Sequence, residues 1–396
     1  MTIILTTEQQ HVLLTVIAWF KSKERPYITL GGYAGTGKTT LLGFLRSMLA
    51  NDFPELKVAF CAFTGKASTV LKSKLFTQKM FSKGDFVGTI HSLIYSAVVD
   101  IKTGHVITWE KKPKSELEYD LIVVDEASMV SGVLWRDLCS YGISILAVGD
   151  HGQLSPIDDV FNLMKDPYIR LETIHRQAAE NPIIQVSLLA RQQGYIPIQS
   201  FGKGVVKVNR YDSETPALLN DWLQSYNEDT LVLAGYNKTR IRLNQEIRAL
   251  RDLYDPAPQV GDRVICLKNN RKQHLYNGMQ GVLHTIYPLD EETDPHWYYA
   301  DISMDDGSTY FSGPIAKEQF NSESGLVKVT PPSTGETGNY FDYGYALTVH
   351  KAQGAQANRV ILFEERFQRM DDDQWRRWLY TAVTRAEKEL FIVGVG

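Results

Sequence analysis

The sequence has little of what would place it in a membrane, outside the cell or around a metal cluster. No apolar run is long enough to span a bilayer, and the N-terminus lacks the basic-then-apolar pattern of a signal peptide. Cys61, Cys139 and Cys266 are odd in number and far apart, which argues against a disulfide framework and a CxxC metal site. The histidines show no ligand spacing. We therefore expect a cytosolic protein without a membrane partner.

A basic overall charge is also absent. The formal net charge is -4, whereas domains that bind nucleic acid are often basic, so any such contact must be made by a local groove. Each cluster of basic residues is by itself more typical of a solvated surface than of a phosphate track. The clusters are Lys66, Lys72, Lys74, Lys79 and Lys83; Lys102, Lys111, Lys112 and Lys114; and Lys268, Arg271 and Lys272.

What is present is the pattern of an α/β protein. A chain of 396 residues is long enough for two domains, and short apolar runs alternate with helical stretches in two sets, as in parallel sheets. Residues 98–109 predict a hairpin and residues 261–331 a glycine-rich β region, which we interpret as insertions. The apolar runs are 27–30, 58–63, 121–124 and 145–148 in the first set, and 231–234, 360–363 and 390–393 in the second.

Residues 32–39, GYAGTGKT, carry the strongest chemical signal. They fit the pattern GxxxxGK(S/T) between a predicted strand and a predicted helix over 40–49, which is the context of a P-loop. Backbone N–H groups of such a loop hold phosphate oxygens, Lys38 reaches the β- and γ-phosphates, and Thr39 binds Mg²⁺. We assign ATP contacts to Gly35, Thr36, Gly37, Lys38, Thr39 and Thr40.

An acidic pair, Asp125 and Glu126, follows the apolar run 121–124. By itself the pair is as typical of a solvated loop as of a functional site. Beside a P-loop it predicts phosphoryl chemistry, with Asp125 as a second ligand of Mg²⁺ and Glu126 as the general base for the attacking water.

The segment 125–129, DEASM, resembles motif II of the superfamily 1 DNA helicases related to RecD and the phage helicase Dda. Other segments of the first half resemble the family's motifs in order. The resemblance implies that Gln9 contacts adenine and that Gln153 senses the γ-phosphate. It also implies DNA-backbone contacts for Thr64, Lys66, Thr89 and His91.

The second half resembles the remaining motifs of the same family. The resemblance implies that Arg385 acts as a finger on the γ-phosphate and that Arg176 reaches the same group, although a surface salt bridge is the alternative for either arginine. His175 and Gly354 then lie beside the nucleotide. The implied DNA contacts in this half are Thr348, His350 and Lys351.

The resemblance implies an α/β fold of two RecA-like P-loop domains with parallel sheets, a β-hairpin insertion in the first and an SH3-like β insertion in the second. In the family the hairpin acts as a pin that splits the duplex, and a simple surface ribbon is the alternative. The predicted boundaries are 1–95 and 119–170 for the first domain, 96–118 for the hairpin, 171–260 and 335–396 for the second domain, and 261–334 for its insertion.

The function implied by this resemblance is ATP-dependent translocation on single-stranded DNA and unwinding of tailed duplex DNA, with 5'-to-3' polarity, in replication, recombination or repair. We expect a self-contained monomer that works beside single-stranded-DNA-binding or replisome proteins. Alternatives are a translocase without strong unwinding, the motor subunit of a larger complex, a non-catalytic subunit on a helicase fold and, more distantly, a small-molecule kinase. A GTPase would need an Asn-Lys-x-Asp tract, and residues 237–240 lack the aspartate.

Overall fold

The first half of the chain folds around a parallel sheet. The computed structural model describes residues 5–63, 65–77, 81–99, 106–154, 161–174, 180–273, 275, 277–305, 310–323 and 325–396. The strands of the first half are β1 (Tyr27–Gly32), β2 (Val58–Ala62), β3 (Phe86–Thr89), β4 (Tyr95–Val99), β5 (Val106–Lys111), β6 (Leu121–Asp125), β7 (Ser144–Gly149) and β8 (Ile169–Leu171). Six of them form a sheet in the order β3-β2-β6-β7-β1-β8, with parallel neighbours throughout.

The strand order positions the functional loops. Strand β7 lies between β1 and β6, so the loop after β7 emerges between the P-loop and the acidic pair. Because all these strands are parallel, the loops meet at the carboxyl edge of the sheet. Helices cover both faces: α1 (Thr7–Ser22), α2 (Lys38–Asp52), α3 (Gly65–Thr77), α4 (Ile90–Ile94) and α5 (Gly132–Cys139).

Strands β4 and β5 pair antiparallel and form the predicted hairpin, which leaves the first sheet after α4. Its strands begin at Tyr95 and end at Lys111, beyond both ends of the predicted range 98–109. The predicted turn near residues 103 and 104 lies outside the described residues. Strand β5 runs beside a 3-10 turn of the second half, Arg271–Gln273.

In the second half, the strands of an antiparallel sheet are inserted in the chain between the strands of a mainly parallel sheet. Its helices are α6 (Pro182–Gln193), α7 (Thr215–Gln224), α8 (Asn237–Leu250) and α9 (Asp372–Val383). Its strands are β9 (Ser200–Gly202), β10 (Val205–Asn209), β11 (Thr230–Ala234), β12 (Arg263–Cys266), β13 (Gln280–Pro288), β14 (Trp297–Met304), β15 (Tyr310–Ala316), β16 (Phe341–Tyr343), β17 (Ala346–Thr348), β18 (Ala357–Phe363) and β19 (Ala386–Gly394).

The second main sheet has the order β17-β11-β18-β19-β10-β9 and is parallel except where β9 meets β10. Strands β12 to β16 form a separate antiparallel sheet in the order β15-β14-β13-β12-β16. The fifth of these strands follows residue 334, where we predicted the insertion to end. The predicted α/β class with a second sheet-containing half is confirmed.

Two buried ion pairs join this antiparallel insertion to helix α8. Arg248 donates from Nε to Oδ1 of Asp262 at 2.8 Å, and Arg240 donates from Nη1 to Oδ2 of Asp342 at 2.7 Å. Asp262 precedes β12 and Asp342 lies in β16, so each pair holds one end of the insertion. All four side chains are buried. No described helix has the length and apolar character to cross a membrane.

Candidate nucleotide site between the two main sheets

The P-loop is a preformed turn between β1 and α2. Gly35 and Gly37 have φ values of 81° and 80°, a left-handed conformation that favours glycine. Thr36 between them is buried, and its hydroxyl donates to the carbonyl of Tyr33 at 2.9 Å. The loop therefore holds the N–H groups at the start of α2 in a fixed arrangement, and such an arrangement binds phosphate.

Lys38 begins α2 and folds back over the loop. Its ammonium group donates to the carbonyls of Gly32 at 2.7 Å and of Tyr33 at 3.1 Å. Both acceptors are neutral, and no carboxylate of the described residues lies within 4.0 Å of the ammonium group. The charge of Lys38 is therefore available to a phosphate. Thr39 and Thr40 follow in the first turn of the helix.

Gln9 connects α1 to the P-loop. Its side-chain N–H donates to the carbonyl of Thr36 at 3.0 Å, and its side-chain oxygen accepts from the N–H of Thr6 at 3.2 Å. The second bond belongs to a capping box that starts α1. Gln9 thus holds the P-loop in place through the carbonyl of Thr36. The contact between Gln9 and adenine stays a prediction.

The acidic pair lies at the end of β6. Oδ1 of Asp125 accepts from the backbone N–H of Glu126 at 2.9 Å. Burial, followed by the charge of Glu126, raises the pKa of Asp125 to about 6. Glu126 has a φ of 54°, a strained conformation for a residue with a side chain, and such strain is common at functional sites. A hard divalent cation would suit these crowded oxygens and the Thr39 hydroxyl, because it offsets the cost of the buried charge.

The loop after β7 brings Asp150 and Gln153 to the same edge. Oδ1 of Asp150 accepts from the N–H of Gly152 at 2.9 Å, and Oδ2 lies 3.5 Å from the side-chain nitrogen of Gln153. Both side chains are buried. Gln153 is therefore held between the P-loop and the acidic pair, where a contact with the γ-phosphate is predicted.

Tyr380 of α9 is the functional residue whose role sequence reasoning missed. Its hydroxyl donates to Oδ2 of Asp150 at 2.7 Å and accepts from the P-loop N–H of Ala34 at 2.7 Å. Two further hydrogen bonds cross the interface beside it. The N–H of Leu154 donates to Oγ1 of Thr381 at 2.9 Å, and the side chain of Gln353 donates to the carbonyl of Leu154 at 2.8 Å. A single hydroxyl of the second half, that of Tyr380, thus contacts both the P-loop and the loop after β7.

Arg385 follows α9 and is fully buried. Its guanidinium donates to the carbonyls of Thr381 at 2.9 Å and Ala355 at 3.2 Å, and to Oγ1 of Thr384 at 3.3 Å. Burial lowers its pKa, while the nearby charges of Glu126 and Asp150 act in the opposite direction. No carboxylate lies within 4.0 Å of it in the described part of the chain. A buried cation without a paired anion is costly, which is the expected state of a group reserved for a ligand.

Gly354 lies against the loop that follows the acidic pair. Its φ is 71°, and a Cβ atom at this position would lie 2.0 Å from Sδ of Met129. Met129 comes three residues after Glu126. The glycine therefore permits close approach of the two halves, and its contact with nucleotide stays a prediction.

The predicted DNA contacts fall on both halves. Thr89 caps α4 by accepting from the N–H of Ser92 at 3.1 Å, and the ring of His91 stacks on Tyr95 at 5.8 Å. In the second half, Thr348 ends β17 and accepts from the N–H of Lys351 at 3.4 Å. Burial lowers the pKa of both His350 and Lys351. Thr64, His175, Arg176 and the side chain of Lys66 lie outside the described residues.

We expect Tyr380→Phe to weaken the coupling between the two halves, measured as the stimulation of ATP turnover by single-stranded DNA. The variant removes the acceptor of the Ala34 N–H and one of the donors to the Asp150 carboxylate, which should lower the free energy of unfolding by about 1–3 kcal/mol. Urea denaturation measures this change, and ATP turnover with and without single-stranded DNA measures the coupling. Tyr236→Phe is the matched control, since the one hydrogen bond of its hydroxyl to a described residue goes to the carbonyl of Arg366 in the same half. If the two variants have equal free energies of unfolding and equal DNA stimulation of ATP turnover, the Tyr380 hydroxyl does not couple the two halves.

The fold and the site define a P-loop nucleotide-binding protein whose site is completed by a second α/β half. A family model described as an AAA domain matches residues 5–200, and one described as a UvrD-like helicase C-terminal domain matches residues 343–393. These matches and the relatives below show that the chain is homologous to the RecD and RecD2 helicases.

Three known proteins illustrate the similarity. The chain is 27% identical to the ATP-dependent RecD2 DNA helicase of Deinococcus radiodurans over 93% of its own length and 47% of that protein's. It is 26% identical to the RecBCD enzyme subunit RecD of Mycobacterium tuberculosis, over 92% of its length and 66% of the subunit's. A crystal structure of Bacteroides Pif1 helicase with ADP-AlF3 and single-stranded DNA matches with a TM-score of 0.48 at 18% identity, covering 99% and 92% of the two chains. The chain thus spans about half the length of the first curated relative and about two thirds of the second.

Proposed function

We propose that this protein is an ATP-dependent motor that translocates on single-stranded DNA and unwinds DNA in replication, recombination or repair. The observation that carries the proposal is Arg385, a buried guanidinium from one half without a carboxylate partner, near Glu126 of the other half. A site divided in this way can hydrolyse ATP only when the two halves are together. Hydrolysis is thereby linked to their relative motion.

The roles of the site residues follow from phosphoryl-transfer chemistry. Lys38 and the N–H groups of residues 35–39 bind the phosphates, and Glu126 accepts the proton of the attacking water. Arg385, together with Arg176, stabilises negative charge that develops on the γ-phosphate. Gln9 and His175 contact adenine. Thr39 and Asp125 would hold Mg²⁺, which would supply positive charge beside the phosphate oxygens, and we expect its removal by EDTA to stop turnover.

Coupling to DNA runs through the interface hydrogen bonds. Gln153 detects the γ-phosphate, and the adjacent Leu154 is bonded to both Thr381 and Gln353 of the second half. Closure therefore moves the DNA contacts of the first half relative to those of the second. Alternate tightening of the two sets on the DNA backbone gives one step per cycle. The contacts are Thr64, Lys66, Thr89 and His91 in the first set and Thr348, His350 and Lys351 in the second.

A tailed-duplex assay tests unwinding and polarity together. We expect displacement of the paired strand from a substrate with a 5' single-stranded tail, because the RecD-like resemblance implies 5'-to-3' movement and the β4–β5 hairpin is suited to separate the strands. Labelled strand release is measured by gel electrophoresis with ATP and Mg²⁺, and Lys38→Ala is the inactive control.

Each other outcome of that assay has a definite meaning. Unwinding only from a 3' tail would overturn the polarity. DNA-stimulated ATP turnover without release from either substrate would identify a translocase or a motor that needs a partner subunit. Absence of DNA stimulation would overturn the proposal itself.

A further inference from the structure

A cavity of about 320 Å³ opens between the two halves beside the P-loop. Tyr33 and His151 line it from the first half, and residues of α6 and α9 line it from the second. Its lining includes none of Lys38, Asp125, Glu126 or Arg385, so it adjoins the proposed ATP site without containing the residues assigned to the phosphates and the metal.

The cavity is strongly cationic. Lys165 and Arg170 of the first half face Arg191, Arg376 and Arg377 of the second, and Asp373 is the one acidic residue among the described lining residues. Two of the cations are already paired, Arg377 with Asp373 at 2.8 Å and Arg170 with Asp166 at 2.9 Å. No carboxylate among the described residues lies within 4.0 Å of the other three cations, which are Lys165, Arg191 and Arg376. Like charges from two halves therefore meet across the interface and repel each other.

His151 adds an unsatisfied hydrogen-bonding group. Both of its ring nitrogens are buried and have no hydrogen-bond partner within the described part of the chain, although buried polar groups in native proteins are almost always hydrogen-bonded. Burial lowers the pKa of the ring, which favours its neutral form. The ring is held against the Tyr33 ring with centroids 4.2 Å apart, and the Arg191 guanidinium lies 3.6 Å from the Tyr33 centroid. His151 and Tyr33 thus form a wall of the cavity beside Arg191.

We propose that this cavity binds a phosphate group, supplied either by inorganic phosphate or by the backbone of a nucleic-acid strand. Arg191 and Arg376 carry planar guanidinium groups that match phosphate oxygens, and Lys165 adds a point charge from the opposite side. A bound anion replaces repulsion between the two halves with attraction. It therefore favours their closed arrangement.

Closure links this cavity to the nucleotide site. Arg377 also donates to the carbonyl of His151 at 2.9 Å, and the same helix carries Tyr380, which contacts the P-loop. An anion that binds best when the halves are together must raise the affinity for ATP, and ATP must raise the affinity for the anion by the same factor.

Calorimetry on the Lys38→Ala background tests the site, because the weakened P-loop removes competing phosphate binding. We expect this protein to bind inorganic phosphate, and Arg376→Gln on the same background to weaken binding by about tenfold or more, the loss of one charge-assisted hydrogen bond. Lys165→Gln, from the opposite half, should have a similar effect. Arg369→Gln is the control, since it removes an equal charge from an exposed position outside the cavity.

A short oligothymidylate distinguishes the two sources. If the strand supplies the phosphate, Arg376→Gln reduces the salt dependence of oligothymidylate binding by about one phosphate contact, while inorganic phosphate binds poorly to every variant. If Arg376→Gln and Lys165→Gln match Arg369→Gln with both probes, the proposal is overturned. These readouts need no ATP hydrolysis, so they stand even if the proposed motor activity fails.

Discussion

Replacing Arg385 by alanine is expected to lower DNA-stimulated ATP turnover by about 10³-fold or more, the range seen when an arginine finger is lost. The reason lies in its surroundings, where three neutral oxygens hold the guanidinium and no carboxylate competes for it. Steady-state phosphate release measures the effect. Binding of a fluorescent ATP analogue should change far less, because the P-loop is intact.

Arg385→Lys and Arg359→Ala make this test specific. Lysine keeps the charge but loses the planar fork, so we expect partial turnover. Arg359 is partly exposed and paired with Glu389 on the same sheet, and its loss should leave turnover near normal. Because Arg385 is buried, urea denaturation must show that the variants are folded. A folded Arg385→Ala protein with normal turnover would remove Arg385 from the site.

Lys38→Ala is expected to reduce ATP turnover by at least about 10²–10³-fold, as for the loss of one strong electrostatic contact to a reacting group. It should also weaken ATP binding, which separates it from Arg385→Ala. The ammonium group now bonds to the carbonyls of Gly32 and Tyr33, and its removal leaves no nearby cation of the loop to replace it.

Lys38→Arg is an informative companion, because it keeps the charge but places it in a larger, planar group. Both variants should keep their affinity for DNA when ATP is absent, as measured by fluorescence anisotropy. Near-normal turnover in Lys38→Ala would refute the assignment of the P-loop.

The parts of the fold that could be predicted from sequence are those whose signal is local. The seven apolar runs all form strands, because a parallel strand buried on both faces must be apolar along its length. Strands β3, β8, β9, β10, β16 and β17 were missed. They are at most five residues long, and β3 is only partly buried, so their length and hydropathy give a weak signal.

The residues of the candidate site also differ in how far their roles could be predicted from the sequence. The P-loop and the acidic pair are contiguous in sequence, and their spacing carries the chemistry. Tyr380 could not be assigned from sequence because its hydroxyl bonds to a residue 346 positions away. Gln9 and Thr89 show the opposite problem, since each takes part in a helix capping box that accounts for its local pattern.

The two ion pairs between α8 and the antiparallel insertion have a mechanical consequence. Asp262 accepts from Arg248 and from the hydroxyl of Tyr345, and Asp342 accepts from Arg240, all within the protein interior. Removing one member of such a pair costs about 3–5 kcal/mol, so the joint is stiff. We therefore expect the insertion to move with the second sheet as one rigid body, so that any rotation of that sheet at the nucleotide site also displaces the insertion.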